Sequence, residues 1–348
     1  MKRTVLAIFG ILIIILGGCT PASKPALESG FQVIAAESFL ADIAQNVAGD
    51  RLVVETLIPR GTDPHTFQPA PADIAKIEDA DLVIISGAGL EEGIQQYLEN
   101  TTAGTVILEA SEGLAFRTPG EFEMVEEHGE HDHEHEGEGD HDHEGEGDGD
   151  HEGEGEGDHD HEGEGEHHHH HHENDPHFWF DPNLVMTYVE NIRLALSELD
   201  PDGAETYKAN ADAYITNLSE LDTYIKSQVE KIPAEKRKLV MDHVSFGYCA
   251  DRYGFQIVGA VIPSVSTGAS PTPQEMAALI DRIQDTGAAA IFIPTTANPE
   301  LAAQVAEDAG VALVTGLYTH YLSEAGGPAP TYIDMMRLNV DVLVEALK

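Results

Sequence analysis

Two series of alternating strand and helix patterns, one in each half of the chain, constrain the fold most strongly. Strands that alternate with helices favour parallel sheets covered by helices on both faces. The sequence therefore predicts an α/β protein with two parallel-sheet lobes. The strand patterns lie at residues 31–35, 51–58, 81–86 and 105–108 in the first half, and at 238–241, 255–262, 288–293 and 311–315 in the second.

A long helical pattern separates the two series. It follows Asp200-Pro201 and ends before Pro233, and its apolar residues recur at spacings of three and four. Such spacing places one apolar face along about eight helical turns. We expect a helix of this length either to span a bundle or to join two domains.

The N-terminus has the pattern of an export signal. A short basic start precedes the apolar residues 5–16, which are too few for a comfortable membrane span, and Leu16-Gly17-Gly18-Cys19 follows. This resembles the lipobox of bacterial lipoproteins. We predict a signal peptide at residues 1–18 and a lipidated tether at 19–30, with Cys19 as the lipid-bearing residue on the extracytoplasmic face of the membrane. The alternative is an ordinary secretory signal with an incidental cysteine.

Residues 128–172 contain only His, Glu, Asp and Gly. With no apolar residue to bury, this segment is predicted to be a solvated, disordered loop within the N-terminal lobe. Its flexible ligands predict weak auxiliary metal sites, since ordering them costs entropy. The alternatives are a plain spacer and, for its last six residues, a purification tag. The auxiliary candidates are His131, His133, His141, His143, His159, His161, His167, His168, His169, His170, His171 and His172.

The net charge excludes some partners. The formal charge is −45, from 63 acidic and 18 basic residues. Such an excess argues against nucleic acid and against an anionic membrane surface as partners, and it suits a cation as ligand.

Outside residues 128–172 the chain has four histidines: His65, His177, His243 and His320. The first two follow Asp-Pro in the related stretches Asp63-Pro64-His65-Thr66-Phe67 and Asp175-Pro176-His177-Phe178-Trp179. At least three of the four follow a strand pattern, where ligand sites form in open parallel sheets. Four imidazoles suit tetrahedral Zn²⁺, whereas Mn²⁺ prefers oxygen and Cu²⁺ a flatter geometry. We predict one metal site, although each histidine alone is more often structural.

A zinc hydrolase is the enzyme alternative. It would need an open coordination position and a general base, for which Glu37 and Asp242 qualify by position only. The sequence lacks a His-Glu-x-x-His helix, and four protein ligands would close the site, so we predict no enzyme activity.

Several motifs together carry a family resemblance. They are the lipobox, the two Asp-Pro-His motifs, the His-rich insertion, Asp242-His243-Val244-Ser245-Phe246-Gly247-Tyr248 and the stretch from Gly327 to Met336. In this order they resemble the zinc- and manganese-specific substrate-binding lipoproteins of bacterial ABC importers, also called cluster A-I or cluster 9 binding proteins. The resemblance covers residues 31–348.

The resemblance implies two α/β lobes, at residues 31–200 and 235–348, joined by one rigid helix at 201–231, with the metal between the lobes. It also implies a monomer that delivers metal to an ABC permease and its ATPase. Manganese carriage, or a metal-buffering adhesin, is the alternative. By the family pattern His65, His177 and His243 are ligands, and a histidine at the third position resembles the zinc carriers. His320 stands where relatives usually have Asp, and we predict it as the fourth ligand.

Overall fold

The computed structural model describes residues 30–101, 104–117 and 174–348. Its first half forms a four-stranded sheet in the order β2-β1-β3-β4, with all neighbouring strands parallel. Every residue of β1 and β3 is buried, as expected for strands covered on both faces. The strands are β1 Val33–Ala35, β2 Val54–Thr56, β3 Leu82–Ile85 and β4 Val106–Glu109.

The second half repeats this arrangement. Its four strands are also parallel and lie in the order β6-β5-β7-β8, which is the same order of first, second, third and fourth strand as in the first sheet. The fold class predicted from the sequence is therefore confirmed. The strands are β5 Lys238–His243, β6 Gln256–Ile262, β7 Ala290–Pro294 and β8 Ala312–Leu317.

Helices connect the strands and cover the sheets. Several begin at residues whose side chains bond the first turn: Asp181, Thr272, Asn298 and Thr331 each accept a backbone N–H two or three residues further on. The α-helices of the described residues are α1 Ser38–Ala48, α2 Pro71–Asp79, α3 Glu92–Glu99, α4 Pro182–Leu199, α5 Ala204–Val229, α6 Gly247–Tyr253, α7 Pro273–Thr286, α8 Pro299–Ala309 and α9 Tyr332–Leu347.

The long helix α5 packs against both halves of the protein. It contacts α1 and α4 on one side and α6 and α9 on the other. Its 26 residues give a length of about 39 Å. The α-helix is shorter than the predicted span 201–231 because Pro201–Gly203 form a separate 3₁₀ turn and the helix ends after Val229.

One large apolar core cluster runs from the first sheet through α4, α5 and α9 to the second sheet. Cys249 is a buried free cysteine within this cluster. Among the helices of the described residues, none combines the length and the apolar character needed to cross a bilayer.

Candidate metal centre

The four isolated histidines meet between the two sheets. His65 lies in the loop after β2, His177 directly precedes a 3₁₀ turn at Phe178–Phe180, and His320 lies in the loop after β8. His243 was expected just past a strand but is the last residue of β5, because that strand runs two residues further than predicted. All four are buried, and His177 and His243 are completely so.

The ring nitrogens that converge are the Nε2 atoms. The Nε2 atom of His177 is 3.3 Å from that of His65, 3.2 Å from that of His243 and 3.3 Å from that of His320. Each histidine offers one nitrogen, and the four nitrogens lie within 4.8 Å of one another. The structure thus brings together all four histidines that the sequence singled out.

Hydrogen bonding does not explain this cluster. The Nε2 atom of a neutral imidazole carries either one proton or one lone pair. The Nε2 atom of His177 can therefore make only one hydrogen bond, so at most one of its three short contacts is a hydrogen bond. A cation among the nitrogens would satisfy them together. Tetrahedral zinc with Zn–N distances of roughly 2.0–2.1 Å has six N···N edges of about 3.3–3.4 Å. The three contacts of His177 have about this length, and the other three pairs of nitrogens lie within 4.8 Å.

The Asp-Pro-His motif has the same local geometry in both copies. The Oδ1 atom of Asp63 accepts the backbone N–H of His65 at 3.0 Å, and that of Asp175 accepts the N–H of His177 at 3.0 Å. These are Asx turns, in which an aspartate caps the backbone two residues further on. The aspartate, with the proline after it, therefore fixes the direction in which each histidine leaves the backbone.

Three of the imidazoles are also held by their Nδ1 atoms. The Nδ1 of His177 lies 2.8 Å from Asp175 Oδ1, that of His243 lies 2.9 Å from Asp242 Oδ2, and that of His320 lies 3.0 Å from Thr319 Oγ1. A carboxylate can only accept, so it keeps the proton on Nδ1 and leaves the Nε2 lone pair directed into the cluster.

Sequence reasoning missed these supporting roles. The sequence places Asp175 and Asp242 in motifs and offers Asp242 as a possible general base, but it predicts no bond from either carboxylate to a histidine ring and no role for Thr319. The signal available was local: each of the three precedes its histidine by one or two residues. Short polar side chains at such offsets commonly bond the neighbouring backbone or ring.

For three of the four histidines, the direction of the pKa shift favours the neutral ring that can bind a metal. Burial lowers the pKa of His65 to about 3, with repulsion from His243 adding to the effect. Burial also lowers the pKa values of His177 and His320 well below the usual histidine value. Burial acts the same way on His243, but the carboxylates of Asp242, Asp63 and Asp175 outweigh it, so the pKa of His243 is raised.

Trp179 forms an apolar wall beside the centre. Its ring centroid is 5.1 Å from that of His177 and 5.6 Å from that of His320. The indole N–H donates to the carbonyl oxygen of Thr319 at 2.9 Å, and the Tyr332 hydroxyl donates to the carbonyl oxygen of Trp179 at 2.6 Å. This fully buried tryptophan thus connects the segment around His177 to the loop that carries His320.

Comparison with known proteins identifies the family. The profile of the family described as "ZnuA: Zinc-uptake complex component A periplasmic" matches residues 33–346. The chain belongs to this family. It is therefore a metal-binding substrate-binding protein of the ABC-transporter type.

Individual ZnuA-family relatives carry different metals in their names. The manganese-binding lipoprotein MntA of Halalkalibacterium halodurans is 31% identical over 97% of this chain and 96% of its own. The iron-binding protein YfeA of Yersinia pestis is 30% identical over 90% and 86%. A solved periplasmic metal-binding protein from Candidatus Liberibacter asiaticus has a TM-score of 0.70 at 29% identity, covering 91% of this chain and all of that one.

Family membership settles the enzyme alternative, since the family and these relatives are binding proteins. The two candidate bases have other surroundings in the structure. Asp242 bonds His243, and Glu37 is buried beside Glu91, where burial and then repulsion from Glu91 raise the pKa of Glu37.

The remaining site predictions lie outside the described residues. They are the lipidation of Cys19 and the auxiliary histidines between His131 and His172.

Proposed function

We propose that this protein captures Zn²⁺ outside the cytoplasm and delivers it to the permease of an ABC importer, with His65, His177, His243 and His320 as the four ligands. The observation that carries the proposal is the set of three Nε2 contacts at 3.2–3.3 Å around His177, which have the length of the edges that meet at one corner of a zinc tetrahedron. Four protein ligands close the site, as suits a carried ion rather than a catalytic one.

The donor set supports zinc over manganese. The four converging atoms are all imidazole nitrogens. These are borderline ligands that suit Zn²⁺, whereas Mn²⁺ prefers oxygen and stands at the weak end of the divalent affinity order. The description of the family as a zinc-uptake component agrees with this assignment.

In the proposed function, the lipid anchor at Cys19 and the His-rich residues 128–172 have separate roles. Lipidation of Cys19 would hold the protein at the outer face of the membrane, beside the permease and its ATPase, where it acts as a monomer. Residues 128–172 would collect zinc weakly and raise its local concentration near the tight site. A chain of this length spans roughly 35–40 Å as a coil, which is enough to reach a nearby cleft.

X-ray absorption on the protein loaded with one zinc ion tests the ligand set. We expect four nitrogen ligands at roughly 2.0–2.1 Å, with the outer-shell pattern of imidazole. Competition titrations should then show zinc displacing manganese. Oxygen ligands in the first coordination shell, or an affinity for Mn²⁺ equal to that for Zn²⁺, would overturn the assignment.

Manganese carriage is the second candidate, because a relative 31% identical over nearly the whole chain is named a manganese-binding lipoprotein. The same titrations separate the two candidates. If the protein is a manganese carrier, the wild-type protein with its four imidazoles should already bind Mn²⁺ tightly.

A further inference from the structure

A cavity of about 460 Å³ opens beside the metal centre, between the loop that carries His65 and the loops that follow β6 and β7. His320 and Asp242 are buried at its inner end, whereas Ala269, Ser270 and Thr296 are exposed at its mouth. We call this cavity the vestibule. It connects solvent with a ligand of a centre whose four imidazoles are otherwise buried.

The vestibule has the electrostatic character of a cation path. Two carboxylates line it, those of Asp63 and Asp242. Among the described residues that line it there is no lysine or arginine. A cleft that is lined by one sign of charge and has low-dielectric walls concentrates the opposite ion and speeds its arrival.

Asp242 has an acceptor to spare at the inner end. Its Oδ2 atom holds the Nδ1 of His243 at 2.9 Å. Its Oδ1 atom is buried and has no hydrogen-bond partner among the described residues. A buried carboxylate oxygen left without a donor is costly, and a cation or one of its bound waters would relieve that cost.

Asp63 faces the same space from the other lobe. Its Oδ1 atom accepts the N–H of His65 at 3.0 Å, and its Oδ2 atom accepts the hydroxyl of Thr267 at 2.6 Å. The contact between Asp63 and Thr267 holds the loop that carries His65 against the loop that follows β6, across the vestibule. Each carboxylate oxygen keeps a further lone pair with which to meet a cation.

We propose that the vestibule is the path by which the divalent cation reaches the four imidazoles, and that the carboxylates of Asp242 and Asp63, which line it, form an oxygen-ligand staging site on that path. The inference rests on the proposed function. Carboxylate oxygens bind a cation that still carries waters. The neighbouring imidazole of His243, held by the other oxygen of Asp242, is then the first nitrogen available to replace those waters.

Charge placed at the mouth tests the path without touching a ligand. In Ala269→Lys the added cation should slow zinc association about three- to tenfold at low ionic strength, and in Ala269→Glu the added anion should speed it. The buried site itself is unchanged, and a departing ion passes the same charge as an arriving one. The dissociation rate should therefore fall in Ala269→Lys and rise in Ala269→Glu together with the association rate, and Kd should change little. Stopped-flow mixing with Zn²⁺, followed by the fluorescence of Trp179, measures both rates.

Ala303→Lys and Ala303→Glu are the matched controls. Ala303 is exposed on α8 and does not line the vestibule, so both variants should associate at nearly the wild-type rate. If the two Ala269 variants also keep the wild-type rate while circular dichroism shows them folded, the vestibule is not the path.

A second comparison isolates the staging site. Asp242→Asn and Asp175→Asn each alter a carboxylate bonded to a ligand Nδ1, at 2.9 and 2.8 Å, but only Asp242 lines the vestibule. Both should weaken zinc binding, and Asp242→Asn should also slow association and reduce its salt dependence. Equal association rates would mean that Asp242 only orients His243.

These outcomes are separable from failure of the proposed function. If the wild-type protein binds no tight equivalent of Zn²⁺, the function itself is wrong. If it does bind one, and the charge variants and the two aspartate variants show no difference in association rate, only the vestibule is excluded.

Discussion

His320, the proposed fourth ligand, stands where the family resemblance implies an acidic residue. Its Nε2 atom lies 3.3 Å from that of His177, and its Nδ1 atom lies 3.0 Å from Thr319 Oγ1. A carboxylate at this position would replace a borderline nitrogen by a hard oxygen. The identity of this one residue should therefore influence which metal the site prefers.

Replacing His320 tests its role as a ligand. We expect His320→Ala to lower zinc affinity at least about 100-fold, since loss of a supporting contact alone commonly costs 10- to 100-fold. His320→Asp should lose less zinc affinity and gain affinity for Mn²⁺. Competition titration with a chelating dye measures both.

Tyr321→Phe is the control for these variants, because Tyr321 is adjacent in sequence but its hydroxyl bonds Thr295 rather than the cluster. Unchanged zinc affinity in both His320 variants would remove His320 from the ligand set.

At the level of single residues, the sequence singled out the four histidines that the structure brings together, but it did not indicate their hydrogen-bond partners. The four stand out because no other histidine occurs outside residues 128–172. By contrast, the bond between Asp242 and His243 depends on side-chain rotamers that two adjacent residues do not by themselves determine. The tertiary packing of the second sheet selects them.

Among the helices, α5 carries a buried carboxylate, Asp222, that accepts hydrogen bonds from two other helices. Asp222 accepts from Asn183 of α4 at 3.0 Å, from Arg252 of α6 at 3.1 Å and from Tyr253 of α6 at 3.1 Å. It also accepts from Lys226 one turn along α5 at 2.7 Å. This carboxylate therefore joins the central helix to an element of each lobe.

Asp222→Asn should destabilise the fold in a pH-dependent way. Burial raises the pKa of Asp222, but the bonds from Arg252, Lys226 and Asn183 outweigh it and lower the pKa to about 2. A lowered carboxyl pKa gives stability that is present above the unfolded value near 3.8 and lost as pH falls through about 2. We expect a loss of about 1–2 kcal/mol at pH 7, allowing for solvent screening, and a smaller loss at pH 3.

Urea denaturation at the two pH values measures this difference. Asp212→Asn is the matched control on the same helix, since Asp212 forms only an exposed pair with Lys208 at 2.6 Å. Such exposed pairs contribute little to stability, because solvent screens them. A loss at Asp222 that is the same at pH 3 as at pH 7 would contradict the charge argument.

At the scale of the whole molecule, the two lobes are held together near the candidate metal centre by contacts to the loop that carries His320. Arg60 donates from Nη1 to the carbonyl oxygens of Leu322 and Ser323 at 3.1 and 2.9 Å. The backbone N–H of Leu322 donates to Ser38 Oγ at 2.8 Å. These contacts fix the loop that carries His320 against the N-terminal lobe.

Arg60→Ala should therefore speed the release of zinc. Losing two charge-assisted hydrogen bonds across the lobes should raise the dissociation rate about tenfold, because the closed arrangement is less favoured. Transfer of zinc to an excess of chelator measures that rate. Arg193→Ala is the control, since Arg193 pairs with Glu190 on its own helix, and an equal effect in both variants would exclude a role for the contact between lobes.

Zinc should stabilise the whole molecule by mass action. Free zinc at about 1,000 times Kd adds about 4 kcal/mol to the free energy of unfolding, which corresponds to a rise in Tm of about 10 °C. Mg²⁺, which prefers oxygen ligands, should have no such effect. A thermal scan followed by circular dichroism measures the shift.

Replacing residues 128–172 by a Gly/Ser segment of equal length should leave this zinc-dependent rise in Tm intact. The same change should reduce growth when zinc is scarce, because the weak sites are lost. Loss of the Tm rise itself would mean that the run contributes to the tight site.

The sequence alone determined the α/β class, the long central helix and the four histidines, because each depends on residue spacing or on the presence of a residue type. Only the tertiary structure decided which ring nitrogens converge, where β5 ends and that a vestibule opens beside His320. Those features join residues far apart in the chain, as in the contact between His177 and His320 across 143 positions. Their distances depend on how the two lobes pack around α5, which no local pattern records.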